Sequence, residues 1–257
     1  MPENDLELLI RAAEAGGTVA MRFWRKTPQV WEKPEGAGPV SEADLAVNAL
    51  LSAQLRLARP GYGWLSEEDP DTTRGAGETL FIIDPIDGTR SFLAGEELFA
   101  VALAVVHRGE VVAGVVHLPA RQRTYAATVT GPATLNGTPI QASSWSGAEA
   151  PKVLTSGSTL RPEYWPGGVP AMRRSHRPSM AYRLCLVAEG ATDATLTLRP
   201  SWEWDIAAGA LIAERAGAVV TDRRGERLAF NTNPPLTEGV LAASPRLHAD
   251  FLARLRG

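Results

Sequence analysis

A single cysteine, Cys185, leaves no partner for an intramolecular disulfide and no thiolate set for a structural zinc. Its place in the apolar run Leu184-Cys-Leu-Val187 suits a packed core position. No apolar run approaches the ~20 residues that a membrane span needs. The opening Met-Pro-Glu-Asn-Asp carries no basic segment ahead of an apolar core, so no secretion signal is read and a cytoplasmic location is expected. Massed basic charge is also lacking. The 26 Lys and Arg are scattered and the net charge is −3, which gives no broad field for a nucleic acid polymer. An anionic ligand must therefore be caught locally. No His-Glu-x-x-His, Gly-x-Ser-x-Gly or Gly-Lys-Ser/Thr string occurs, which removes the commonest signatures of zinc peptidases, serine hydrolases and phosphate-loop enzymes.

What remains is an ordinary globular composition of 257 residues, 44% of them hydrophobic, enough to bury a substantial core. Apolar positions Leu6, Leu9, Ile10, Ala13, Ala20 and Phe23 predict a first helix over 4–24, weakened inside by Gly16-Gly17. After the Pro- and Gly-rich loop 34–39, Ser41 with Asp44 three residues on forms a capping signal for a second helix running through Leu45 to Leu57. Strands are predicted at 80–83, 98–106, 111–118 and 123–129, an antiparallel meander. Asn136-Gly137 reads as a tight turn. A Ser-, Ala- and Gly-rich stretch near 141–151 suggests two halves, 1–145 and 146–257. The second half alternates: a strand near 153–155, a loop over 161–178, helix 179–189, strand 192–198, helix 205–216, strands near 218–221 and 239–243, and a last helix over 245–256.

Chemistry concentrates in acids. Asp84-Pro-Ile-Asp-Gly-Thr89 follows the buried-strand pattern Leu80-Phe-Ile-Ile83, which puts Asp84 and Asp87 at a strand's C-terminal mouth. Glu67-Glu68 and Asp205 add further carboxylates. Taken singly, each has an ordinary explanation: Asp205 as a helix cap, Glu67 to Pro70 as a solvated turn, Asp87-Gly88 as a hairpin. Brought together, they would repel one another unless a cation neutralised them, and oxygen-only ligands favour Mg²⁺ or Mn²⁺ over zinc.

Across nearly its whole length the chain resembles the inositol monophosphatase superfamily of magnesium-dependent, lithium-sensitive phosphatases. The resemblance is carried by Asp84-Pro-Ile-Asp-Gly-Thr89 with Phe92, by Trp204-Asp-Ile-Ala-Ala-Gly209 with Glu214, Ala216 and Gly217, and by Ser66-Glu-Glu68. Val40-Ser-Glu-Ala-Asp44 and Leu135-Asn-Gly137 resemble further landmarks. It implies an α/β (α+β) fold, a layered α-β-α-β-α sandwich. It also implies that Glu67, Asp84 and the Ile86 carbonyl bind one metal while Asp84, Asp87 and Asp205 bind a second, with two or three Mg²⁺ in all and Mn²⁺ as an alternative. Glu67 and Thr89 would then orient the attacking water, Asp44 would polarise Thr89, and the Gly88 and Thr89 N–H groups would hold the phosphate for in-line attack.

Three features bear on the phosphate ester, a small phosphorylated metabolite in every case. Leu198 stands where inositol enzymes of the family carry an acid, seven residues before Asp205. The helix Ser179-Met-Ala-Tyr-Arg-Leu-Cys-Leu-Val-Ala-Glu-Gly190 is similar to that of 3'(2'),5'-bisphosphate nucleotidases, with Arg183 and Ser179 as candidate substrate contacts. Arg90-Ser-Phe92 resembles histidinol-phosphate phosphatases, and Pro178 departs from the nucleotidase pattern. Adenosine 3',5'-bisphosphate is the expected substrate, with inositol 1-phosphate, histidinol phosphate or another sugar phosphate as the alternatives, and a non-catalytic metal-binding scaffold as the alternative of another class. Homodimerisation and the role of the basic loop 173–177 stay open.

Overall fold

In the computed structural model, residues 4–33, 38–69, 74 and 77–257 are described. Most of the Pro- and Gly-rich loop 34–39 and Pro70 therefore lie outside the described residues. In chain order the elements are α1 (Asp5–Phe23), β1 (Val30–Glu32), β2 (Pro39–Ser41), α2 (Glu42–Ala58), β3 (Gly63–Ser66), β4 (Thr79–Asp87), α3 (Thr89–Leu93), β5 (Ala100–His107), β6 (Glu110–Leu118), β7 (Arg123–Thr128), β8 (Thr134–Leu135), β9 (Thr138–Pro139), β10 (Lys152–Leu154), β11 (Arg173–Ser175), α4 (Met180–Ala188), β12 (Ala194–Thr197), β13 (Ser201–Trp202), α5 (Glu203–Arg215), β14 (Val219–Thr221), β15 (Leu236–Thr237), β16 (Val240–Ala243) and α6 (Pro245–Arg256).

Two sheets dominate. The first has seven strands in the order β3-β4-β5-β6-β7-β8-β9, with β3 parallel to β4 and the rest antiparallel. The second has five, in the order β11-β10-β12-β16-β14. α1 and α2 bury their apolar stripes on one face of the first sheet, where Leu9, Leu51 and Leu55 meet Phe81, Ile83 and Val101. α4 and α5 fill the space between the sheets, packing Leu184, Ile206 and Ile212 against Ile82, Ala104 and Val116. α6 closes the outer face of the second sheet through Leu247 and Phe251. The layers are thus α-β-α-β-α. Residues 146–257 supply the helices that complete the core of the first sheet, so the two halves share one interior.

Local chemistry explains the helix starts. Ser41 caps α2: Asp44 Oδ2 accepts from the Ser41 N–H at 2.8 Å, and the Ser41 hydroxyl accepts from Ala43 N–H. The meander appears in the expected order. The loop 161–178 contains a strand that the sequence reading did not predict, β11, which pairs parallel with β10. Also unpredicted are the edge strand β3 and the small ribbons β1-β2 and β13-β15.

Gly17 has a packing reason. A Cβ there would lie 2.7 Å from His117 Cδ2, 2.8 Å from Nε2 and 3.0 Å from Pro119 Cβ. His117 is tied to Thr124 at 2.9 Å and cannot retreat freely. Gly17→Ala should therefore destabilise by roughly 1–3 kcal/mol, because overpacking outweighs the gain of about 1 kcal/mol from removing a helical glycine. The urea midpoint reads the change, and a midpoint at or above wild type would show the ring to be freely displaced.

Candidate active site

Four segments converge: the end of β3, the end of β4, the start of α5 and the start of α4. Glu67, Asp84 and Asp205 each offer a carboxylate oxygen, and these oxygens lie within 4.8 Å of one another. Asp84 is 1% exposed. Its position follows from β4 running on past Ile83 to Asp87, with a register shift between Asp84 and Asp87 that accommodates Pro85. The acids thus sit within the last turns of the strand rather than beyond it. Asp205 lies in the first turn of α5, which begins at Glu203; it is not the cap, a position held by Trp202 without a side-chain bond. Glu203, fully buried, is the acid with a structural task, accepting from the Asn231 and Thr232 N–H groups and the Thr232 hydroxyl.

Burial pushes Asp84 well above the carboxylate range, and repulsion from Glu67, Asp87 and Asp205 adds to it. Asp205 is raised in the same way, by burial first and then by Asp87 and Glu67. Burial also lifts Glu68 to about 7, with help from Glu67. Such crowding of oxygen donors, without His or Cys, is what a hard divalent cation neutralises. The residues present fit such an ion. Part of the charge is met by a residue the sequence reading passed over. Lys33 Nζ stands 2.7 Å from Glu67 Oε1 and 2.8 Å from Glu68 Oε1. Burial would lower the Lys33 pKa, but the two carboxylates outweigh it and hold the pKa above its ordinary value. A lone lysine ahead of a Pro-Glu-Gly loop offers no sequence signal; only the fold brings its charge here.

Asp87 is 7% exposed, and its Oδ2 accepts from Ser179 Oγ at 2.6 Å and from Ala181 N–H at 2.7 Å. Burial raises Asp87 to about 6 in spite of these bonds. These bonds tie Asp87 to the start of α4, and it stands outside the trio of Glu67, Asp84 and Asp205 whose oxygens lie within 4.8 Å of one another. The expectation that Ser179 contacts substrate is corrected by this geometry. Ser179 is fully buried, donates to Asp87 and accepts from Tyr182 N–H as the cap of α4, so it presents no surface to a ligand.

Thr89 Oγ1 lies 3.1 Å from Asp44 Oδ1 and 3.1 Å from the Ile86 carbonyl. Asp44 is fully buried, and its other oxygen is taken by Ser41, so the α2 capping box is also what aims Oδ1 at Thr89. Ile86 N–H donates to Asp84 Oδ1 at 3.0 Å, which fixes that carboxylate. Gly88 caps the five-residue α3 with φ +99°, and a Cβ there would come 3.1 Å from the Leu98 carbonyl. Only glycine suits both demands.

Arg183, on α4, is half-buried. It donates to the Arg177 carbonyl and to His176 Nε2, and among the described residues it forms no ion pair. Burial lowers its pKa, while Asp87 and Asp205 act on it favourably and Arg199 unfavourably, which places it at the rim of the acidic cluster. Leu198 is buried in the core of the second sheet beside Val153 and Leu241.

A five-layered sandwich with a partly buried all-oxygen acidic cluster at the ends of β3 and β4 and the start of α5 defines a class of layered phosphatases, and the comparisons with known proteins agree. The model of the "Inositol monophosphatase family" matches residues 1–257. An inositol-1-monophosphatase of Mesorhizobium japonicum is 30% identical over 246 residues, covering 86% of each chain. A histidinol-phosphatase of Chlorobaculum parvum is 30% identical over 261 residues, covering 98% of this chain and 96% of the relative. Among solved structures, an IMPase of Thermotoga maritima superposes with a TM-score of 0.85 at 29% identity, covering 98% of this chain and 96% of that one. The chain belongs to the inositol monophosphatase family. It is a hydrolase of phosphomonoesters. No described helix is long and apolar enough to cross a membrane.

Proposed function

We propose that the chain is a magnesium-dependent phosphomonoesterase acting on a small metabolite that carries a second anionic group beside the scissile phosphate, adenosine 3',5'-bisphosphate being the best fit. The observation that carries this reading is Arg183. A half-buried guanidinium beside Asp87 and Asp205, held by neutral acceptors and without an ion-pair partner among the described residues, is a desolvated charge that an anion would complete. Leu198 supports the same choice, since its buried methyl groups offer nothing to the hydroxyls of an inositol ring. The names of the relatives favour inositol 1-phosphate or histidinol phosphate instead; neither would satisfy Arg183 with a second phosphate.

Glu67, Asp84, Asp87, Asp205 and the Ile86 carbonyl would hold the magnesium ions. Bound there, magnesium supplies the positive charge that polarises phosphoryl oxygens and activates water. The chain's own groups do the rest. The Thr89 hydroxyl donates a hydrogen bond to Asp44 Oδ1, so its oxygen lone pairs are left to accept from a water and turn that hydrogen away from phosphorus, with Glu67 as the second acceptor. The Gly88 and Thr89 N–H groups, at the close approach that Gly88 permits, hold the phosphate oxygens. Lys33 holds Glu67 in place through their ion pair.

A phosphate-release panel of adenosine 3',5'-bisphosphate, inositol 1-phosphate, fructose 1,6-bisphosphate and histidinol phosphate with Mg²⁺ tests the reading. The first should show the highest kcat/KM, and a preference for inositol 1-phosphate would reject it. Arg183→Ala should raise KM for the bisphosphate about tenfold, the worth of one charge-assisted contact, while changing KM for adenosine 3'-monophosphate much less. An equal change in both would remove Arg183 from recognition.

A further inference from the structure

His176 lies in the basic loop 173–177, directly after β11, and its contact with Arg183 fixes more than its place. Arg183 Nη2 stands 2.7 Å from His176 Nε2. A guanidinium is only ever a donor, so Nε2 must be the acceptor and the ring must be the neutral tautomer with its proton on Nδ1. The surroundings agree: burial and the neighbouring Arg183, Arg174 and Arg177 all hold the His176 pKa below its ordinary value. Arg183 Nε is spent on the Arg177 carbonyl. The long side chain is therefore gripped along one edge by two neutral acceptors, the ring and the carbonyl, both from the loop that precedes α4. Among the described residues the Nη1 group meets only the Met180 sulfur, at 3.9 Å. Its N–H bonds are the ones left for a ligand, on a guanidinium that the charges of Asp87 and Asp205 already influence.

We propose that His176 is a specificity-determining positioning residue: by accepting from Arg183 it holds the guanidinium with Nη1 free, preorganised for the second anionic group of the substrate. The inference rests on the substrate reading given above, and it adds the residue that makes Arg183 selective rather than merely basic. Two features of the site require such a device. An arginine free to rotate could swing onto Asp87 or Asp205 and quench the cluster, and tying two of its nitrogens to neutral acceptors prevents that. Preorganisation also spares the substrate the entropy of ordering a rotamer-rich side chain.

The experiment has two arms. In the kinetic arm, His176→Ala should raise KM for adenosine 3',5'-bisphosphate about five- to tenfold, as expected for losing one hydrogen bond to a charged group, with kcat unchanged. KM for adenosine 3'-monophosphate should stay within about twofold, inside the expected spread of a surface substitution. His176→Gln, whose amide oxygen restores an acceptor, should recover most of the loss. In the spectroscopic arm, ¹⁵N shifts of the metal-free protein at pH 7.5 should show His176 neutral and protonated on Nδ1. An Nε2-protonated ring, an equal effect of His176→Ala on both substrates, or a failure of His176→Gln to rescue would each overturn the proposal. If instead the wild-type enzyme does not discriminate the two substrates while the ring carries its proton on Nδ1, the substrate reading is what has failed, and the role given to His176 falls with it.

Discussion

Asp84→Asn is expected to lower kcat/KM by at least about 100-fold, since loss of even an outer-shell partner of a metal costs 10- to 100-fold and Asp84 sits at the centre of the donor set. The same substitution should raise the melting temperature of the metal-free protein near pH 8. It removes a buried carboxylate that is repelled by Glu67, Asp87 and Asp205, while asparagine keeps the oxygen that accepts from Ile86 N–H. Opposite signs for activity and metal-free stability separate a ligand from a scaffold residue. A variant with wild-type turnover, or one that melts lower without metal, would reject the role given to Asp84. Asp87→Asn is a less clean test, because it also disturbs two bonds that anchor α4.

The second large effect is a dependence of stability on pH that magnesium should abolish. Asp87 and Glu68 are raised to about 6 and about 7, and Asp84 and Asp205 lie well above the carboxylate range. A carboxyl whose pKa is higher in the folded than in the unfolded chain binds its proton more tightly in the native state. Its contribution to stability is therefore complete below about pH 4 and is lost as the pH rises through the folded value. Between pH 5 and 8 the metal-free protein should lose on the order of 1 kcal/mol per pH unit. Magnesium in excess should flatten that slope and add about 2.7 kcal/mol at a concentration of 100 times its dissociation constant. Thermal melts at pH 5, 6, 7 and 8 in chelator and in magnesium decide it; a chelated protein that gains stability toward pH 8 would contradict the cluster.

The elements read well in the sequence were those whose cause is local. Ser41 and Asp44 announced α2 because a capping box is closed within four residues, and the last helix, expected over 245–256, is α6 with Pro245 at its first position. β3 was missed because Gly63 to Ser66 are all buried, so no alternation marks them, and their pairing with β4 is parallel and non-local. β4 was read too short, since Pro85 argues against a strand unless a register shift absorbs it. In the site, Glu67, Asp84 and Asp205 were legible through the words around them. Lys33 was not, because its role is to balance charges that meet only in three dimensions. Ser179 carried a helix-start signal that was read as a ligand contact, and which way a hydroxyl turns is settled by its neighbour, here Asp87.

The grip of Asp87 on α4 also says how this protein could change its diet. The acids of the candidate site are mounted on the first sheet and the start of α5, whereas the residues proposed to select substrate lie on α4 and the loop before it, and Asp87 ties the first to the second. So long as the Ser179 hydroxyl, the Ala181 amide and the buried side chains of α4 remain, its half-buried residues such as Arg183 can be exchanged without moving the acidic cluster. One scaffold could in this way be retuned from one phosphate ester to another by redecorating a single helical face.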